Sequence, residues 1–231
     1  MGQEFRSTKS LGFAAGLLLL ANVAFDGLEF VLELVQRAYF PGIWFSQDDF
    51  LTDAEAFFTM GYFAALLASV GVFIAGSVVF LIWFKRSYEN LEAFQVEGLS
   101  TTPGWAVGHW FIPFLWFYFP FKIMNEIYNG SDPDAGELRI SNTSTGVIRG
   151  IWWALWVSLS IIGNITLRIS LNTEDPATLE LAQTIDIIAL PFWMICGLLA
   201  YRIVREVTSR QEAIGAVADS LVPPEPPVFG R

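Results

Sequence analysis

Five apolar segments alternate with loops along this 231-residue chain, and its Lys and Arg residues constrain how many of them cross a membrane. The segments cover roughly 11–34, 57–84, 105–121, 151–171 and 181–203. If all five crossed with the N-terminus in the cytoplasm, eight of the 13 basic residues would lie outside, against the usual cytoplasmic excess. If the third segment returns to the side it came from, only Arg37 and Arg168 lie outside. We therefore predict an all-α integral membrane protein with four transmembrane helices and one aromatic re-entrant or interfacial segment.

The third segment, GWAVGHWFIPFLWFYFPF, is the one that the sequence predicts not to cross. Half of its residues are aromatic, and Trp and Tyr prefer the headgroup interface. Pro113 and Pro120 remove backbone donors and disfavour helix at the residues before them, so a straight span here would need compensation from neighbours. A bent interfacial or re-entrant element fits these features. The alternative is a short, kinked fifth transmembrane helix.

The second segment is the clearest predicted span. It carries no charge from Phe57 to Phe84, about 42 Å of helix at about 1.5 Å per residue. Small residues recur along it at intervals of three and four, which lets another helix pack closely against one face: Gly61, Ala64, Ala68, Gly71 and Ala75.

The first segment follows Arg6 and Lys9 as a signal peptide does. Because it lacks a small-x-small cleavage site, we expect a retained signal anchor.

Composition argues against several functional classes. A hydrophobic content of 54% with nine Trp is too apolar for a soluble domain of this size. The formal charge of −10 disfavours nucleic acid as a partner. One cysteine, Cys196, and one histidine leave no internal disulfide, zinc cluster or Cys/His dyad, and no phosphate-binding or dinucleotide-binding motif occurs. We expect no cofactor, no metal and no catalytic site, with membrane lipids as partners.

Several motifs follow one another in a specific order: WFKRSYEN at 83–90, GWAVGHWFIP at 104–113, Pro120, EIY at 126–128 and WWALW at 152–156. Together they resemble the bacterial membrane-protein family catalogued as domain of unknown function 4328, over roughly 51–210. The family name implies no activity, so no catalytic residue is carried over. The shared polar positions and the aromatic segment define a candidate cytoplasmic-interface cluster: Arg86, Asn90, Trp105, His109, Trp110, Pro113 and Glu126. His109 is either a proton-active group or a histidine hydrogen-bonded at the interface.

Polar residues inside the apolar segments form a second candidate site. At about 1.5 Å per residue, five of them share one outer-leaflet layer of a hydrocarbon core about 30 Å thick: Asp26, Glu29, Asn164, Arg168 and Asp186. Ser160 joins this candidate cluster because it shares a face of the fourth segment with Asn164 and Arg168, at intervals of four residues. Arg168 can pair with Asp186 or Glu29, which leaves at least one acid to face water, hold a proton or bind a cation. The favoured interpretation is that Arg168, Glu29 and Glu33 extend to the membrane boundary, and that only Asp26 and Asp186 are buried, joined to Asn164 and Ser160. The alternative is a conducting or ligand-binding site.

The whole chain is predicted to form a single polytopic membrane domain over 1–210, followed over 211–231 by the end of a C-terminal helix near Leu221 and a Pro-rich tail. Four spans place both termini in the cytoplasm, and we expect a bacterial inner membrane. The favoured function is a non-enzymatic scaffold or accessory subunit of a larger membrane complex. The alternative is transport or sensing of a small ligand or protons through the outer-leaflet polar cluster. A third hypothesis is an intramembrane lipid enzyme that uses Glu126 and His109.

Overall fold

The computed structural model describes residues 4–41, 43, 52–135 and 139–221, without the side chains of 218–221. The Pro-rich tail and much of the first connection, including Asp48 and Asp49, lie outside these residues. The described chain consists of six α-helices and one 3-10 helix: α1 Lys9–Tyr39, α2 Asp53–Ala93, α3 Pro103–Gly108, the 3-10 helix Leu115–Phe117, α4 Phe119–Gly130, α5 Val147–Asn172 and α6 Pro176–Leu221. It contains no β-strand, only an isolated bridge between Glu97 and Ile140.

Four of these helices are long and apolar enough to cross a membrane: α1, α2, α5 and α6. The prediction of an all-α protein with four candidate membrane spans is confirmed. At about 1.5 Å per residue, α2 is about 62 Å long and α6 about 69 Å, roughly twice the thickness of a hydrocarbon core. Both helices therefore supply residues beyond a bilayer.

The aromatic segment forms no helix that can cross a bilayer. Its first helix, α3, has six residues and is about 9 Å long, and a three-residue 3-10 helix precedes α4. Pro120 lies in the first turn of α4, where a missing amide costs little, and Pro113 lies between the short helices. The structure therefore favours four spans over the five-span alternative.

Side-chain caps fix where two of the long helices begin. At the start of α2, Glu55 N donates to Thr52 Oγ1 (3.3 Å), and Thr52 N donates back to Glu55 Oε2 (2.8 Å). This reciprocal capping box satisfies two amides that a helix start otherwise leaves unpaired. Before α6, the side chain and the amide of Thr178 both donate to Asp175 Oδ2. These bonds lower the pKa of the Asp175 carboxyl.

The chain divides into two compact units. Unit 1 comprises the described residues of Met1–Phe13, Leu81–Ser144 and Val204–Arg231, and unit 2 those of Ala14–Phe80 and Thr145–Ile203. The core of unit 1 is built from fully buried side chains of α2, α4 and α6: Trp83, Phe84, Tyr88, Leu91, Ile123, Met124, Ile127, Val204 and Val207. The buried side chains of unit 2 come mainly from α5 and α6: Trp152, Trp153, Leu159, Ala182, Ala189, Leu190, Cys196 and Ala200.

A left-handed residue ends α2 inside unit 1. Gln95 has a φ of 58°, and its amide donates to Glu92 O (3.0 Å), while Val96 N donates to Leu91 O (2.9 Å). These two bonds form a Schellman motif, which normally has glycine at the left-handed position because a Cβ there is strained. The motif turns the chain so that Leu91 and Val96 pack over Gly130 of α4.

We predict that Gln95→Gly raises the free energy of unfolding by about 1 kcal/mol, because glycine removes the Cβ strain of the left-handed conformation. Thermal unfolding in mild detergent measures the change. Gln95→Ala is the matched control, since it keeps the Cβ and loses only an exposed side chain. Equal effects of Gly and Ala would show that the strain at residue 95 is not the cause.

Candidate functional site

Carboxylates of α1 and α6 come together in unit 2. Glu29 lies close enough to Asp26, Glu33 and Asp186 for their charges to interact. Tyr62 of α2 donates its hydroxyl to Glu33 Oε1 at 2.6 Å. No Lys or Arg among the described residues lies within 4 Å of these carboxylates. The structure therefore groups the predicted Asp26, Glu29 and Asp186 and adds Glu33 and Tyr62.

The other half of the predicted outer-leaflet cluster does not join these acids. Of the two arrangements considered for Arg168, the ion pair with Asp186 or Glu29 does not occur among the described residues, and the Arg168 side chain is exposed. Asn164 is exposed as well, and Ser160 Oγ donates to Trp156 O of its own helix (2.7 Å). The three residues share a face of α5, as predicted, but that face does not meet Asp186.

A different face of α5 supplies the contact to Asp186. Trp152, Leu159 and Thr166 recur every seven residues and are nearly inaccessible, at 3%, 4% and 2% exposure. Thr166 Oγ1 donates to Asp186 Oδ1 at 2.7 Å. A seven-residue repeat keeps side chains on one helix face, so this stripe was the signal in the sequence for the packed face. Thr166 is not ionisable, so the pattern of ionisable residues did not predict its contact with Asp186.

In unit 1, Glu126 is a buried carboxylate with several hydrogen-bond donors. It is 1% exposed, accepts from Ser100 Oγ, and accepts from Tyr88 Oη at 3.0 Å and from Ser100 N at 3.3 Å. Tyr88 Oη also accepts from Thr101 N (3.3 Å). These bonds hold the loop after α2 against α4. Both carboxylate oxygens of Glu126 are thus engaged by donors of its own chain.

Asn90 forms a second buried network in unit 1. Its side chain pairs with both backbone groups of Arg6, accepting from N (3.1 Å) and donating to O (3.0 Å), and also donates to Gln211 Oε1 (2.9 Å). Gln211 in turn donates to Ser87 O and Ser131 Oγ, both at 2.9 Å. Asn90 and Gln211 are 1% and 0% exposed. This network joins the N-terminal segment, α2, the end of α4 and α6.

The N-terminal segment is fixed further by α6. Thr8 N donates to Glu212 Oε1 (2.7 Å), and the Phe5 ring stacks on Phe94 with centroids 5.6 Å apart. Gly215 makes room for this ring, because a Cβ added there would lie 2.2 Å from Phe5 Cε1. The residues before α1 are therefore an integral part of unit 1.

The aromatic members of the predicted cluster form a third, separate group. His109 stacks on Phe119 with centroids 4.4 Å apart and planes 6° apart, and lies 5.7 Å from the ring of Trp105. Its Nδ1 is buried without a hydrogen-bond partner among the described residues. Trp110 makes an edge-to-face contact with Phe84 of α2. Pro113 is exposed, and Arg86 pairs with Glu89 (3.4 Å). The seven predicted residues thus occupy several environments and form no single site.

A metal site and the proposed lipid-enzyme site would each need particular side chains to lie close together. In the part of the chain that the structure describes, no three His, Cys, Asp or Glu residues are placed to hold a metal ion. Glu126 is engaged by Tyr88 and Ser100, whereas His109 lies among aromatic rings. The lipid-enzyme hypothesis therefore gains no support from a shared site of these two residues.

The family profile described as Domain of unknown function (DUF4328) matches residues 50–209, more than half of the chain. The chain belongs to this family. The resemblance inferred from the order of the sequence motifs is thereby confirmed. No curated protein and no solved structure matches the chain.

Some of the features described above lie inside the range matched by the DUF4328 profile, and others lie outside it. It contains the Glu126 network and the aromatic segment, as well as Tyr62, Thr166 and Asp186. The acids of α1 and the N-terminal segment lie outside it. So do Glu212 and Gly215 of α6, which contact that segment, and Gln211. The contacts of the N-terminal segment with α6 thus lie outside the family match, whereas its partners Asn90 and Phe94 of α2 and the following loop lie inside it.

We predict that Glu126→Gln lowers the free energy of unfolding by about 2 kcal/mol, because hydrogen bonds to a buried charged acceptor contribute more than neutral ones. Thermal unfolding in detergent gives the measurement, with the exposed Glu92→Gln of α2 as the control. Tyr88→Phe in the Glu126→Gln background should cost less than in the wild type, since the two share a hydrogen bond. Additive losses would contradict a shared network.

We predict that Gly215→Ala lowers stability by about 1 to 2 kcal/mol and exposes the N-terminal segment to proteases, because the new Cβ displaces Phe5. Gly104→Ala is the matched control, since a Cβ there meets nothing within 4 Å. In a Phe5→Ala background, Gly215→Ala should cause no further loss. An equal loss in both backgrounds would show that Phe5 does not dock against Gly215.

Proposed function

We propose that this protein of the DUF4328 family is a non-enzymatic scaffold or accessory subunit of a larger assembly in a bacterial inner membrane. The observation that carries the proposal is the small-residue stripe of α2, namely Gly61, Ala64, Ala68, Gly71 and Ala75. All five residues are exposed. A Cβ added at Gly61 or Gly71 meets nothing within 4 Å. The predicted packing stripe is therefore left open by the described chain.

Gly76 of α2, unlike Gly61 and Gly71, packs against another helix of the same chain. Gly76 is buried, and a Cβ added there would lie 3.1 Å from Asn22 Nδ2 and 3.6 Å from Leu18 Cβ of α1. The open stripe is bordered by a ridge of large exposed side chains: Met60, Phe63, Leu67, Val70 and Ile74. A groove of small residues beside a ridge is the surface against which transmembrane helices pack closely, because lipid itself gives little drive for association. This favours a helix of another subunit as the occupant.

The charge distribution supports a cytoplasmic location for unit 1. Most of the basic residues belong to it: Arg6, Lys9, Lys85, Arg86, Lys122, Arg139, Arg205 and Arg210. Arg37 and Arg168 lie instead near the last turns of α1 and α5. Because cytoplasmic loops carry the excess of Lys and Arg, we propose that both termini are cytoplasmic.

The scaffold proposal predicts that Gly71→Leu lowers the recovery of a defined membrane partner in affinity purification from mild detergent. The reason is steric: the added side chain occupies the stripe, and its Cβ meets nothing of the described chain within 4 Å. Val70→Leu is the matched control, since it enlarges a neighbouring exposed residue of the ridge. Both variants should keep the wild-type melting temperature. Unchanged partner recovery with Gly71→Leu and Ala68→Leu would contradict the proposal.

The acids of unit 2 favour one second candidate, which is proton-linked or small-ligand transport or sensing. Carboxylates without a basic partner in a membrane span require water, a proton or a cation, and such residues are functional candidates. This reading predicts solute or proton flux by the purified protein in liposomes, abolished by Asp26→Asn. It also predicts that Gly71→Leu leaves the flux intact. Absence of flux together with loss of a partner in Gly71→Leu favours the scaffold.

A further inference from the structure

Unit 1 carries an unusual exposed aromatic surface. It consists of Trp105 (55% exposed), Phe111 (71%), Phe114 (84%), Phe117 (39%) and Tyr118 (60%), and is called the aromatic face here. No Lys, Arg, Asp or Glu occurs from Thr101 to Phe121. Large apolar side chains that cluster on a surface mark a contact with lipid or with another molecule.

The backbone presents this face by means of a strained turn. Phe114 has a φ of 68° and a ψ of −36°, a combination that is costly for a residue with a bulky side chain. It connects the turn at Pro113 to the 3-10 helix and is the most exposed residue of the face. Both the strain and the exposure of a phenyl ring to water are unfavourable, so this conformation requires a compensating contact.

Contacts within unit 1 fix the level of the aromatic face along α2. The rings of Trp110 and Phe84 are 5.8 Å apart at 85°. Phe84 is the last residue of the charge-free run of α2, and Lys85 follows directly. Trp110 therefore lies where the apolar part of a membrane span ends. One helical turn further, about 6 Å along the axis, Tyr88 Oη accepts from the amide of Thr101, at the start of the charge-free sequence.

We propose that the aromatic face lies in the boundary between headgroups and hydrocarbon, with lipid as its occupant and Phe114 as the deepest side chain. The contact between Trp110 and Phe84 holds the aromatic segment at the level where the charge-free run of α2 ends, which favours lipid over a soluble protein partner. Trp and Tyr are enriched at this boundary. The boundary is also hydrated, so the irregular backbone between α3 and α4 keeps hydrogen-bond partners that the hydrocarbon core would deny it.

Spin labels test this in vesicles of phosphatidylethanolamine and phosphatidylglycerol, in a Cys196→Ser background. One nitroxide is placed at Phe114→Cys and a second at Phe111→Cys, which gives an independent reading on backbone without a positive φ. Gln95→Cys, exposed in unit 1 on the polar loop after α2, is the aqueous control. Power saturation compares collisions with oxygen, which concentrates in lipid, and with a water-soluble nickel chelate.

At residues 111 and 114 the ratio of oxygen to nickel collisions should exceed that at residue 95, and residue 114 should give the highest ratio. A ratio at 111 and 114 as low as that at 95 would overturn the proposal, since it places the face in water. Exclusion of both reagents would also overturn it, because it would show that protein covers the face.

Discussion

The rule that every backbone amide and carbonyl needs a partner in lipid decides the architecture of this chain. The four long helices meet the rule through their own backbone hydrogen bonds over more than the thickness of the hydrocarbon core, except where Pro191 removes one amide from α6. The aromatic segment between Trp105 and Phe121 does not, because its helices are short and Phe114 interrupts them with a positive φ. An apolar composition is therefore not sufficient for a span, and an even number of crossings follows.

The three stretches of chain that make up unit 1 independently support an even number of crossings. It combines the residues before the first span, those between the second and third, and those after the fourth. Four crossings return all three stretches to one side of a membrane, whereas a fifth between α2 and α5 would separate them. The hydrogen bonds of Asn90 to Arg6 and Gln211 require that common side. The polar contacts of unit 1 and the topology thus depend on each other.

The sequence predicted the four spans because uninterrupted apolar runs and Pro-rich breaks act locally. It failed at the face of α5, where Asn164 was expected to join the buried acids, whereas Arg168 is exposed, as in the favoured interpretation. Arg168 is only four residues from the end of that helix, where a long cationic side chain reaches water at little cost. Tyr88 and Ser100, the partners of Glu126, are 38 and 26 residues away in the sequence, so no local pattern predicts these hydrogen bonds. The sequence also did not predict the positive φ of Gln95, because a left-handed residue at a helix end is usually recognised by a glycine.

The central claim is that the loop after α2, the loop before α5 and the end of α6 lie on one side of the membrane. Membrane-impermeant thiol labelling of Gln95→Cys, Thr143→Cys and Ser209→Cys, each in a Cys196→Ser background, tests it most directly. All three residues are exposed, as is Glu174 between α5 and α6. The account predicts that the cysteines at 95, 143 and 209 are labelled only in inside-out vesicles. The cysteine of Glu174→Cys should be labelled only in intact cells whose outer envelope has been made permeable to the reagent. Labelling of Thr143→Cys from the outside, with Gln95→Cys labelled from the inside, would show that the aromatic segment crosses and would contradict the account.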